Sequence, residues 1–165
     1  IIYPGMCLLE GTNVSEGRGT ARPFQLAGAP YWNHDQILEK LLETALPGCV
    51  CQPVVFEPTS GKWAGRTCTG FYLHVTDATA FMPYRTSLAL YQAVRGLYPE
   101  SFDYKRPPYE YEVEKLPMDL ILGDRRIRES VEKETPIVEI ENGWQQELRN
   151  FEEKRTHYLL YPMTY

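Results

Sequence analysis

Residues 50–57 and 69–75 are dense in Val, Phe and Tyr, the side chains that fit a pleated, half-buried surface. Between them stands Pro58-Thr59-Ser60-Gly61, in which proline presets one turn torsion and glycine supplies another. Two such strands joined through a turn commit the chain to a sheet, and a sheet must bury a face under something else. The cover lies on both sides in sequence. Over 34–46, Ile37, Leu38, Leu41, Leu42 and Ala45 recur at helical spacing with Glu39, Lys40 and Glu43 opposite. Asn33 stands as the N-cap with Gln36 three residues on, and Pro47-Gly48 ends the helix. A second helix starts at Pro83 and carries Tyr84, Leu88, Tyr91 and Val94 inward until Tyr98-Pro99.

The remaining segments complete the outline. Met6-Cys7-Leu8-Leu9 reads as a short buried strand ended by Glu10-Gly11, and 24–29 as an extended segment. A short helix over 117–122 is closed by Gly123, Asp124 caps another with Ile127 and Val131 as its apolar face, and Trp144, Leu148, Phe151 and Arg155 mark a third. Tyr158-Leu159-Leu160-Tyr161 reads as a closing strand. Strands and helices do not alternate regularly, so the expected class is α+β: a mixed β-sheet packed with helices in a single domain. At 165 residues the chain can bury a proper core.

Charge and hydropathy exclude several partners. A net charge of −5 with 24% charged residues argues against a nucleic-acid backbone as ligand. The longest apolar runs fall far short of the roughly 20 residues of a membrane span. The opening Ile1-Ile2-Tyr3-Pro4 has neither a Met nor a basic leader region, which reads as a fragment of something longer with any targeting signal upstream. The four cysteines, Cys7, Cys49, Cys51 and Cys68, contain no CxxC pair and give no zinc spacing. Cys49 and Cys51, two apart in a β-like run, share a face. Buried free thiols are the first reading, and a disulfide between neighbouring strands, such as Cys51 with Cys68, is the second. No metal and no cofactor is expected.

Three stretches could carry chemistry. In the first, Glu10 leads into a Gly-rich loop bearing Thr12, Asn13, Ser15, Arg18 and Thr20. Carboxylate and amide suit sugar hydroxyls, and Arg18 suits a carboxylate; equally, Thr, Asn and Ser in such a loop satisfy its own backbone. It is not a phosphate loop, since GxxxxGK[ST] is absent. In the second, His74 alternates with Leu73 and Val75, and Asp77 sits where a strand gives way to a loop, a favoured place for functional groups. Read plainly, Asp77 caps a turn and His74 is a satisfied core histidine. The third, Lys105-Arg106-Pro107-Pro108-Tyr109-Glu110-Tyr111-Glu112, reads as a packing arm more readily than as a cleft wall. There is no GxSxG elbow. Glycoside hydrolysis needs two placed carboxylates, and Glu10 is the one candidate in view.

The run Tyr3-Pro4-Gly5-Met6-Cys7-Leu8-Leu9-Glu10-Gly11-Thr12-Asn13-Val14-Ser15-Glu16-Gly17-Arg18-Gly19-Thr20, with Leu73-His74-Val75-Thr76-Asp77, Pro83-Tyr84-Arg85-Thr86-Ser87 and Pro107-Pro108-Tyr109-Glu110-Tyr111-Glu112, resembles the NamZ-like (YbbC-like) family, across nearly the whole chain. Its characterised members are exo-β-N-acetylmuramidases that remove N-acetylmuramic acid from the non-reducing end of peptidoglycan fragments. The family's N-terminal Rossmann-like domain, with its Pro-Glu-His-Gly-type acidic motif, has no counterpart here. The resemblance therefore implies that residues 1–165 are the C-terminal, cleft-forming domain, probed by a muramyl glycan and partnered by the N-terminal domain of the same polypeptide. It implies a catalytic or hydroxyl-binding role for Glu10, and substrate contacts from Thr12, Asn13, Ser15, Arg18 and Thr20, with His74 and Asp77 as neighbours. It also implies an extracellular or periplasmic place of action and little activity for the chain alone. An autonomous glycan-binding module and a purely structural interdomain module are the competing classes.

Overall fold

In the computed structural model, which describes residues 1–161, the two β-rich stretches are antiparallel neighbours. Strand β2 (Cys49–Phe56) pairs with β3 (Cys68–Val75) from Cys49↔Val75 to Phe56↔Cys68. The extended segment before the first long helix supplies β1 (Leu26–Ala29), which lies on the other side of β3 from Leu26↔Tyr72 to Ala29↔Thr69, giving the order β1-β3-β2. The α+β architecture is as expected, with both pairings antiparallel, an arrangement narrower than a mixed sheet. The short 57–67 connection suits an antiparallel return; a parallel pair would need a crossover of a dozen or more residues.

Phe71 and Leu73 on the central strand are buried. Gly28 and Gly70 face each other so closely that a Cβ on Gly70 would sit 2.0 Å from the Ala27 carbonyl oxygen. The Leu73 N–H donates to the Gln25 carbonyl, toward β1. By alternation Phe71 also turns its backbone groups toward β1, so its β2 partner Pro53 has its nitrogen on the free edge, where a missing donor costs nothing.

Helix α2 (His34–Leu41) begins at the expected cap: Asn33 Oδ1 accepts from the Asp35 and Gln36 N–H groups. It ends earlier than 46, because the Glu43 and Thr44 N–H groups reach back to the Lys40 and Leu41 carbonyls and tighten the last turn. Helix α3 (Pro83–Leu97) is the hub, with Leu88, Leu90, Tyr91 and Val94 buried. The Met6–Leu9 stretch, expected as a strand, is helical instead: α1 (Tyr3–Met6) runs into a 3₁₀ turn, Cys7–Gly11. A four-residue apolar run does not separate strand from buried helix by period. Pro4 favours the first helical turn, and Gly5 packs so tightly on α3 that a Cβ would meet the Pro83 carbonyl oxygen at 2.0 Å.

Three helices close the domain: α4 (Pro117–Leu122), stopped by Gly123 at φ 78°; α5 (Arg125–Glu132), capped by Asp124 accepting from the Arg126 N–H; and α6 (Ile137–Thr156). The closing strand expected over 158–161 does not form. That segment follows α6 as turn and bend, and Tyr158, Leu160 and Tyr161 are exposed. All four cysteines are free. Cys51 stands opposite Leu73 and Cys68 opposite Phe56, so the register keeps that pair apart.

Tyrosines knit the helical side to the loops. Tyr91 and Tyr104 hydroxyls bond to each other, and Tyr104 donates to Glu132, which Arg128 also holds at 2.9 Å. Tyr84 donates to the Leu122 carbonyl, and Tyr31 to Asn13. Burial pushes the phenols of Tyr31, Tyr84 and Tyr104 up to about 12, and that of Tyr91 up as well. A phenol whose pKa is raised on folding contributes stability that is complete below its unfolded value of about 10 and is lost as pH climbs through the folded value. Urea melts should therefore show stability falling between pH 10 and 12, and Tyr84→Phe should make that fall shallower. An unchanged slope in the variant would refute the assignment.

Candidate functional site

The loop after the 3₁₀ turn is the part of the fold with the most chemistry, and its local hydrogen bonding sorts its residues into two groups. The first group is spent on closing the loop and tying it to the rest of the domain. Thr12 Oγ1 donates to the Leu9 carbonyl and accepts from the Val14 N–H. Asn13 Nδ2 donates to the Ser101 carbonyl, while its Oδ1 accepts from Tyr31. Ser15 Oγ accepts from the Gly17 N–H, and Thr20 Oγ1 donates to the Gly17 carbonyl and accepts from the Arg22 N–H. Ser15 also adds one bridge to Gly28 on the open edge of β1. Gly17 and Gly19, at φ 79° and 80°, make the bends, and Gly19 lies flat on Ser60.

The second group is ionic. Arg18 Nη2 donates to Glu10 Oε1 at 2.7 Å and Arg18 Nε lies 3.3 Å from Glu16 Oε1. The other Glu16 oxygen accepts from Lys62 Nζ at 2.7 Å. Lys62 also donates to the Leu9 and Val14 carbonyls, at 2.8 and 2.9 Å. Charges thus alternate along Lys62, Glu16, Arg18 and Glu10. Burial lowers the Lys62 pKa, and Glu16 opposes that shift by favouring the ammonium. The hydrogen bond to Glu10 raises the Arg18 guanidinium above its already high range. Glu16 is buried with only 5% of its side chain exposed, against 21% for Glu10 and 54% for Arg18. Glu10 is therefore the cluster's carboxylate at the surface.

Aromatic rings frame this pair. The Arg18 guanidinium lies 4.9 Å over the Phe24 ring, which meets Tyr3 edge-on at 4.7 Å. Tyr109 stands near Glu10: burial first, and then the charge of Glu10, raise its phenol. Lys105 lies 4.7 Å over the Tyr109 ring, and its N–H donates to the Gly11 carbonyl, so the 105–112 stretch is an arm crossing the loop beside Glu10. A half-exposed guanidinium stacked on one ring, with a fixed carboxylate and a second ring beside it, can accept and donate to sugar hydroxyls and offer apolar faces to a pyranose.

His74 and Asp77 separate from this cluster. His74 bonds Gln52 at 2.6 Å and meets Tyr72 edge-on; it shares with Tyr3 and Phe24 the walls of an open cleft of about 570 Å³. Asp77 caps the turn after β3, accepting from the Thr79 hydroxyl and the Thr79 and Ala80 N–H groups, which lower its pKa. Its partners all lie outside the 10–20 loop. Among the described residues no group of three or more His, Cys, Asp or Glu side chains could hold a metal.

Lys62 and Trp63, whose Nε1 donates to the Asn13 carbonyl at 2.6 Å, are site-building residues that the sequence pattern passed over. The available signal was their type: a lysine and a tryptophan directly after the turn-forming Pro58-Thr59-Ser60-Gly61.

Over residues 1–161 the chain matches the profile of the family described as exo-beta-N-acetylmuramidase NamZ, C-terminal. It is 36% identical over 160 residues to the peptidoglycan beta-N-acetylmuramidase NamZ of Bacillus subtilis (strain 168), covering 97% of this chain and 37% of that relative. Two crystal structures of DUF1343 family proteins from Bacteroides fragilis NCTC 9343 share its fold, with TM-scores of 0.80 and 0.62 at 21% and 22% identity. They cover 98% and 99% of this chain and 41% and 40% of their own. The chain thus spans about two fifths of the length of the relatives it matches.

Lys62→Met should unfold the domain more easily by about 3 kcal/mol, because it leaves the buried Glu16 carboxylate with only the half-exposed Arg18 as counter-charge. Adding Glu16→Gln should restore part of that loss. A denaturant melt measures both, and a single variant as stable as the parent would show that Lys62 does not hold the loop.

Proposed function

The chain belongs to the NamZ C-terminal family, and on that premise we propose that it forms one wall of the substrate cleft of an exo-acting β-N-acetylmuramidase, the other wall being an N-terminal domain of the same polypeptide. The observation that carries this reading is the Glu10–Arg18 pair, fixed at the surface by Glu16 and Lys62 and flanked by Phe24 and Tyr109.

In this reading Glu10, with Oε1 held by Arg18, uses its remaining capacity on a sugar hydroxyl or assists acid–base chemistry supplied from the opposite wall. Arg18 has two duties. It orients Glu10, and its open edge meets the lactyl carboxylate that distinguishes muramic acid from glucosamine. Thr12, Asn13, Ser15 and Thr20 serve the substrate indirectly, by fixing the loop that presents this pair; the three hydroxyls are already committed inside it, and the Asn13 amide ties it to Ser101 and Tyr31. His74 reaches the same side of the domain through the cleft it shares with Tyr3 and Phe24. Hydrolysis of a glycosidic bond by the usual route needs a second placed carboxylate. Glu16 does not supply it, being buried between two cations.

The purified chain should therefore release no N-acetylmuramic acid from a β-glycoside, yet bind muramyl ligands weakly at the 10–20 loop. Amide shifts of the ¹⁵N-labelled chain titrated with a muramyl disaccharide should concentrate at Glu10 to Thr20 and at Tyr109, and a glucosaminyl disaccharide should give smaller ones. Shifts confined to another face, or turnover by the chain alone, would overturn the proposal. Arg18→Ala should cost muramyl binding about 1.5–3 kcal/mol, the range of a hydrogen bond to a charged group. Equal losses on both sugars, with a lowered melting temperature, would leave Arg18 a loop-holding residue only.

A further inference from the structure

Cys49 and Cys51 project to the same side of β2, one at its first residue and the other two positions on. Both are half-buried and both are free. They form the floor of a groove of about 360 Å³ whose other walls include Leu38, Leu41, Leu42 and Leu46 from α2 and the turn after it.

Two constraints select what this pair can take. Same-face neighbours on a strand stand about 6.6 Å apart, twice the rise per residue. A disulfide needs its Cβ atoms at about 3.5–4.5 Å, so direct S–S closure would require the strand to bend. An atom placed between the sulfurs needs no such bend. The second constraint is ligand number. No third His, Cys, Asp or Glu joins the pair among the described residues, which is too few for a tetrahedral zinc centre. Two thiolates in an apolar groove suit a soft ion that is content with two ligands, in the manner of Cu(I).

We propose that Cys49 and Cys51 form a two-thiolate site for a single soft monovalent metal ion of the Cu(I) or Ag(I) class. Binding forms two metal–sulfur bonds and releases the two thiol protons to solvent, giving a bis-thiolate complex with one net negative charge and no change of oxidation state. Leu38 and Leu41 of α2 give it an apolar wall. Cys7 and Cys68 take no part; Cys68 donates instead to the Arg66 carbonyl at the far end of the hairpin, and Cys7 to the Pro4 carbonyl.

The test is a titration of the reduced chain with Ag(I), read by native mass spectrometry, alongside Cys49→Ser, Cys51→Ser and the Cys7→Ser/Cys68→Ser double variant. One tightly held ion is expected in the parent and in the double variant, with at least a hundredfold weaker retention in each of the single variants. Retention in Cys49→Ser equal to the parent, or loss in the double variant, would overturn the proposal. A readout on the unaltered chain guards against a folding defect in the variants: one equivalent of Ag(I) should protect Cys49 and Cys51 together from iodoacetamide while leaving Cys7 labelled. Protection of one of the pair without the other, or none, would equally sink the idea.

Discussion

The ammonium of Lys62 is the point on which the functional face hangs. It reaches out of the β2–β3 turn and gathers three acceptors from the 3₁₀ turn and the loop after it: the Leu9 and Val14 carbonyls and the Glu16 carboxylate. A loop bent by two glycines in the left-handed region has no helix or strand ladder to stiffen it. One cation with three donors supplies that stiffness, and Trp63 adds a fourth tie through the Asn13 carbonyl. Because Glu16 divides its two oxygens between Lys62 and Arg18, the order imposed on the loop's interior passes outward to Glu10. Each charge has a neighbour of opposite sign, so the cluster avoids the cost of an uncompensated buried ion.

Much of the fold is legible along the chain because its signals are local. Asn33, Pro83, Gly123 and Asp124 each mark a helix end by local chemistry, two through a capping side chain and two through their backbone torsions, and each does so in the structure. The strands at 49–56 and 68–75 follow from β-branched and aromatic density. What escaped was decided by tertiary contact. The apolar run from Met6 to Leu9 forms helical turns because Gly5 seats against Pro83, a partner nearly eighty residues away. The aromatic and aliphatic tail at 158–161 has strand composition, yet it pairs with no strand and stays exposed.

The site divides along the same line. Glu10 and Arg18 were visible as residue types, and their nearness on one loop is confirmed by a direct bond. The polar residues between them carry a double meaning that sequence leaves open, since a threonine that can bind a sugar can equally close a turn. Here the backbone claimed Thr12, Asn13, Ser15 and Thr20. Lys62 was invisible because no period or motif links a turn lysine to a distant carboxylate; only folding juxtaposes them.

A three-stranded sheet has two open flanks, and each is an invitation to another chain. On the β1 flank the Ser15–Gly28 bridge occupies the rung that a visiting strand would need first. On the β2 flank Pro53 presents a ring where a donor would be required. Both closures come from single residues rather than from a covering layer. The hairpin can therefore stay thin and lie directly against the loop it organises, while the sheet resists stacking edge to edge with its own copies. Protection from self-association and access to the functional loop are, in this small domain, achieved by the same sparing use of backbone.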